Sequence, residues 1–109
     1  MKANELRIGN FIYYGANERV LDTLLFLQLL KYTTIFEPIP LTKEWLLKFG
    51  IEKMHDGNYW NKKLCIRKDI NEFYALYEQG RIYIQHVHQL QNLYFALTGE
   101  ELTYEKEKQ

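Results

Sequence analysis

His86-Val87-His88 sets two imidazoles two residues apart, so on a strand both point to one face, an arrangement that some metal sites use. A metal centre needs a third ligand, and His55 or Cys65 would have to arrive from elsewhere in the fold. No Cys-x-x-Cys or His-Glu-x-x-His spacing accompanies the pair. The plainer reading packs one histidine beside Tyr83 or Tyr74 and lets the other start a helix. His86, His88 and His55 therefore remain weak candidates, and no metal or other cofactor is expected.

Nucleophilic chemistry has even less to work with. Cys65 would need a histidine base held close and a third group to orient it, and only His55 is a candidate. A lone cysteine is more commonly buried as a small hydrophobe. Asp56-Gly57 is a turn device before it is a catalytic acid. Glu100-Glu101 and the acids at 105 and 107 read as a solvated helix end and tail rather than a carboxylate pair around a bond. No glycine-rich phosphate loop is present.

Stacking on single-stranded nucleic acid is a third chemistry. Tyr13, Tyr14, Tyr59, Trp60, Tyr74 and Tyr83 offer aromatic faces, and Lys62, Lys63, Arg67 and Lys68 cluster near Tyr59-Trp60. The competing reading places these rings in the core or in cross-strand pairs. Charge also argues against it: 14 lysines and arginines balance 14 acids, with no basic block.

The elements that would position these residues are short. At 109 residues the chain has the length of one domain, expected to span 1–109 with a frayed tail from about 103. Its tyrosine-rich composition favours sheet. Gly9-Asn10 is a turn before a strand at Phe11 to Tyr14, and Gly15-Ala16-Asn17 predicts a hairpin with the segment from Val20. Residues 18–30 are apolar nearly all round and defy assignment by period. They have good helix propensity, but the strand-like Tyr32 to Phe36 beyond them favours two strands with a break near Gln28. Pro38-Ile39-Pro40 ends that strand.

A helix over about 43–49 is marked at both ends, by Thr42 as N-cap with Leu41 and Leu46 as a hydrophobic staple, and by Gly50 as a left-handed stop. Asp56-Gly57 predicts a hairpin between Ile51 to Met54 and Tyr59-Trp60, and Leu64 to Arg67 a further strand. Phe73 to Glu78 and Arg81 to Val87 form the clearest hairpin, with Glu78-Gln79-Gly80 as a type I turn closed by a bulge glycine. A second helix near 88–98 carries Leu90, Leu93, Tyr94 and Leu97 at helical spacing and stops at Gly99. On a helical wheel Phe95 falls near the opposite side, flanked by Gln91 and Asn92, so it marks a contact surface. Either Leu102 and Tyr104 fold back over it or a second subunit covers it.

Leu6-Arg-Ile-Gly-Asn10, Pro38-Ile-Pro-Leu-Thr-Lys-Glu-Trp-Leu-Leu-Lys-Phe-Gly50 and Val87-His-Gln-Leu-Gln-Asn-Leu-Tyr-Phe-Ala-Leu-Thr-Gly-Glu-Glu-Leu102 form recognisable motifs. Through them the chain resembles a family of short uncharacterised proteins encoded by gut anaerobic bacteria and their prophages. The resemblance implies a mobile-element setting and strands over 18–36; it implies no activity, cofactor or catalytic residue. The opening Leu6 to Ile12 is also similar to the first strand of SH3-like barrels.

The expectation is an α+β fold, a mainly antiparallel sheet of about six or seven strands with the C-terminal helix across one face. The expected function is non-catalytic, a small accessory protein working through protein contacts, with a homodimer through Phe95, Gln91 and Asn92 as the specific form. A nucleic-acid-binding module on Tyr59 to Lys68 is the alternative, and a small metal-dependent enzyme the third. No signal-peptide pattern is seen, and Leu24 to Leu30 is too short to span a bilayer, so a cytoplasmic protein with no membrane partner is expected.

Overall fold

The computed structural model describes residues 5–31, 36–61, 64–70, 72–77 and 80–102. Lys62, Lys63, Tyr104, the Glu78-Gln79 turn, most of the expected strand at 32–36 and the tail from 103 lie outside them. Among the described residues the fold is α+β, with eight short strands in two antiparallel sheets and three helices. The strands are β1 (Phe11–Tyr14), β2 (Asn17–Val20), β3 (Phe36–Glu37), β4 (Glu52–Lys53), β5 (Tyr59–Trp60), β6 (Cys65–Lys68), β7 (Phe73–Tyr77) and β8 (Gly80–Ile84). The helices are α1 (Thr23–Lys31), α2 (Lys43–Lys48) and α3 (Val87–Thr98). The antiparallel strands divide between two sheets, with strand order β2-β1-β3 in one and β4-β5-β6-β7-β8 in the other.

β1 is the wall between two cores. Alternate side chains of a strand point to opposite faces. Ile12 enters a cluster with Leu6, Leu21, Leu25, Leu29 and Phe36, whereas Phe11 and Tyr13 pack against the larger cluster of the second sheet. There the Phe11 ring lies 5.3 Å from Trp45 and 5.9 Å from Phe49 of the α2 segment. The hairpin expected at Gly15 is present, but β2 starts at Asn17, directly after a two-residue turn, and ends at Val20.

Residues 18–30 are not two strands. Only 17–20 are extended, and Thr23 to Lys31 is a helix. Asp22 is the reason: its Oδ1 accepts from the Leu25 N–H at 2.8 Å, satisfying a donor that a helix start leaves open. A leucine-rich run without Gly or Pro continues from such a cap as a helix.

α2 keeps the boundaries expected of it. The Thr42 side chain accepts from Trp45 N, and Gly50 stands at φ +82°. Gly50 N donates to Leu47 O at 3.0 Å and Ile51 N to Leu46 O at 2.9 Å, which together form a Schellman closure. Trp45, Leu46 and Phe49 are buried beneath it.

The buried stripe of α3 is rotated from the expected one. Val87, Leu90, Gln91 and Tyr94 face inward at i, i+3, i+4 and i+7, with His88 beside them, while Leu97 is exposed. Leu102 returns to the larger core.

Candidate functional site

The buried polar residues of α3 are occupied in holding the chain together. Gln91 is 1% exposed. Its Oε1 accepts from Phe11 N at 2.8 Å and its Nε2 donates to Gly9 O at 3.0 Å, so the amide pairs with the backbone as a neighbouring strand would. Gly9, at φ +102°, makes the turn that offers this carbonyl. Asn10 is fully buried and donates to Asn92 Oδ1 at 2.9 Å, while Asn92 donates to Glu5 O at 3.0 Å. Arg7 completes the clasp through Nε to Asn92 Oδ1 at 2.8 Å and an ion pair with Glu101 at 2.5 Å. The Leu6-to-Asn10 and Val87-to-Leu102 motifs are thus two halves of one junction.

This placement changes the reading of Phe95. Gln91 and Asn92 do not flank it on an open surface; they face the first turn. The Arg7 guanidinium lies 4.4 Å from the Phe95 ring centroid, so a cation partly covers it from within the chain.

Among the described residues, an exposed apolar face lies instead on α1. Leu25 and Leu29 are buried, whereas Leu24, Leu27 and Leu30 are 67%, 58% and 58% exposed. At 100° per residue these three fall within about 120° of arc, on the side away from the core. The helix is apolar on both sides, a pattern belonging to helices covered on both sides.

His86 and His88 come together as parallel rings with centroids 5.7 Å apart and planes 7° apart. His88 is buried, and neither ring nitrogen has a hydrogen-bond partner among the described residues. Burial, reinforced by His86, holds its pKa below the ordinary value, and Glu5 at 3.9 Å opposes only part of that shift. His55 sits in the β4–β5 turn, and no group of three or more potential ligands suited to a metal ion occurs among the described residues. His86 itself caps α3: the Gln89 side chain returns to the His86 N–H at 3.0 Å.

The expected nucleic-acid cluster is divided by the register of the larger sheet. Opposed residues share a face, so Tyr59, Ile66 and Ala75 point to the core, as their burial confirms. Lys68 pairs opposite Phe73, with its ammonium 5.3 Å from that ring. Trp60, Cys65, Arg67, Tyr74, Leu76, Arg81 and Tyr83 take the other face. Arg81 lies 4.4 Å from the Tyr74 ring centroid and 3.3 Å from the Tyr83 hydroxyl. Among the described residues two arginines, Arg67 and Arg81, stand on that face, and Tyr74 is already buried.

A cavity of about 960 Å³ opens where the C-terminal ends of α2 and α3 meet the β4–β5 edge, lined by Gly50, Glu52, Met54, Trp60, Tyr94 and Glu100 among others. Sequence reading singled out Trp60 and missed the company it keeps, because the lining joins positions as far apart in the chain as Gly50 and Glu100. No family model matches the chain, and no curated protein or solved structure matches it either. No described helix is long and apolar enough to cross a membrane.

Proposed function

We propose that this is a non-catalytic cytoplasmic protein acting through protein contacts, with α1 as its contact surface and a second copy of the chain as partner. The observation that carries this reading is the exposure of Leu24, Leu27 and Leu30 on one helix face. Leucines grouped in this way mark association surfaces, and a symmetric dimer is the commonest way to cover them. The resemblance noted above supports a mobile-element setting, which the identity of the neighbouring genes tests. Light scattering over a range of concentrations tests the dimer: the wild type associates, and Leu27→Glu shifts it to monomer without loss of helix content. A wild type that is monomeric throughout ends the dimer reading. A dimer that survives Leu27→Glu places the interface elsewhere, with Phe95→Glu as the next variant.

A second reading draws on the outward sheet face, where Trp60 and Tyr83 are exposed beside Arg67 and Arg81. Such a face suits stacking of single-stranded nucleic acid. Micromolar binding of an oligonucleotide that falls steeply with salt and is lost in Trp60→Ala would favour it over the first reading.

A further inference from the structure

The cavity between α2, α3 and the β4–β5 edge, which shares Trp60 with the outward sheet face, has the most specific chemistry of the remaining surface. Its volume, about 960 Å³, lies at the upper end of the range of small-molecule sites. Trp60 and Tyr94 supply aromatic surface and Met54 a polarizable thioether. Glu52 and Glu100 supply carboxylates, and none of the described lining residues is cationic.

The backbone adds to the same sign of charge. α3 runs for twelve residues and ends beside the cavity, so the negative end of its dipole is directed there. The turn that follows is fixed: the Thr98 hydroxyl donates to Tyr94 O at 2.8 Å and accepts from Glu100 N at 3.0 Å. Glu100 is therefore held at the rim by the same helix end. On the opposite rim, the left-handed Gly50 turns the chain out of α2 towards Glu52.

We propose that this cavity binds an organic ammonium group, with Trp60 and Tyr94 as its aromatic wall and Glu52 as its counter-charge. An aromatic wall with a carboxylate at the rim selects a cation with an apolar coat over either a hydrated metal ion or a neutral molecule of the same shape. The ammonium can belong to a free amine or to a lysine side chain of a peptide. This inference is independent of the α1 dimer.

Titration of the full chain with choline chloride, at ionic strength held constant with sodium chloride, tests it through Trp60 fluorescence and calorimetry. Choline is expected to give saturable binding about tenfold stronger than its uncharged carbon isostere, dimethylbutanol. Glu52→Gln should weaken choline binding several-fold, and Trp60→Ala should abolish it with an unchanged circular dichroism spectrum. A lysine-containing tetrapeptide run in parallel identifies the source, since tighter binding of peptide or of choline assigns the ammonium to one or the other. No saturation by either probe, equal binding of dimethylbutanol, or binding that survives Trp60→Ala overturns the proposal.

Discussion

α1 and α3 pack on opposite sides of the same strand, and they are held there by different means. α1 meets β1 through Leu25 and Leu29 against Ile12, an apolar contact without direction. α3 meets the same strand through the Gln91 amide, which pairs with both Gly9 and Phe11, and through Asn92, which pairs with Asn10. A buried amide satisfied on both sides sets position and rotation together, since a shift of one residue leaves several polar groups unpaired. Leucines on both sides of α1 set its rotation less sharply and leave three of them facing outward. The polar junction therefore makes a framework, and the apolar helix makes a surface.

The largest effect should come from breaking the junction. Gln91→Leu keeps the volume nearly constant and removes the amide from the Phe11 N–H and the Gly9 carbonyl in a part-buried site. The expected loss is about 2–4 kcal/mol, one desolvation cost for each orphaned group. Urea unfolding measures it. A loss below about 0.5 kcal/mol, the range of ordinary surface changes, shows that water replaces the amide and that the contrast between the helices is wrong.

α2 supplies a calibration, since its closure involves neither device. Gly50 stands at φ +82° with open space where a Cβ would sit. Gly50→Ala should therefore cost about 1 kcal/mol through backbone strain alone. A change within a few tenths of a kcal/mol means that the left-handed closure does not persist in solution.

Much of this was legible before the structure. Thr42, Gly50, Asp56-Gly57 and Gly99 are local signals, and the elements they bound lie where those residues place them. Residues 18–30 resist assignment because the apolar run hides its period, yet Asp22 stands directly before the helix Thr23–Lys31 as its cap. Gln91 was harder to read. A glutamine in a helix is taken as surface, and only the turn eighty residues earlier makes it core. The division of Tyr59 from Trp60 needed the sheet register, which no local pattern encodes.

The next effect depends on pH and belongs to α3 alone. The folded chain holds the His88 pKa below its ordinary value of 6.5, first by burial and then by the charge of His86. Protons therefore bind the unfolded chain more readily. The stability associated with His88 is complete above about pH 6.5 and falls as the pH drops below it. Unfolding midpoints at pH 7.5 and 5.5, taken as about one unit on either side, should show the wild type weaker at the lower value, and His88→Leu should narrow the difference. An equal pH dependence in the variant assigns the effect to other groups.

The smallest change in the stability of the single chain should come from α1, at the position where association changes most. Leu27 is 58% exposed, so Leu27→Glu removes little from the core and places a charge in water. At concentrations low enough for the monomer, its unfolding free energy should lie within about 0.5 kcal/mol of the wild type. At high concentration the two should separate, because a dimer stabilises the wild type by mass action and the variant not at all. Leu29→Ala makes the internal contrast: the same helix and a smaller change of polarity, but a fully buried side chain, and a loss of about 2–5 kcal/mol at every concentration. If Leu27→Glu costs as much as Leu29→Ala in the monomer, the outer face of α1 is covered by the chain itself, and the division between a framework helix and a contact helix fails.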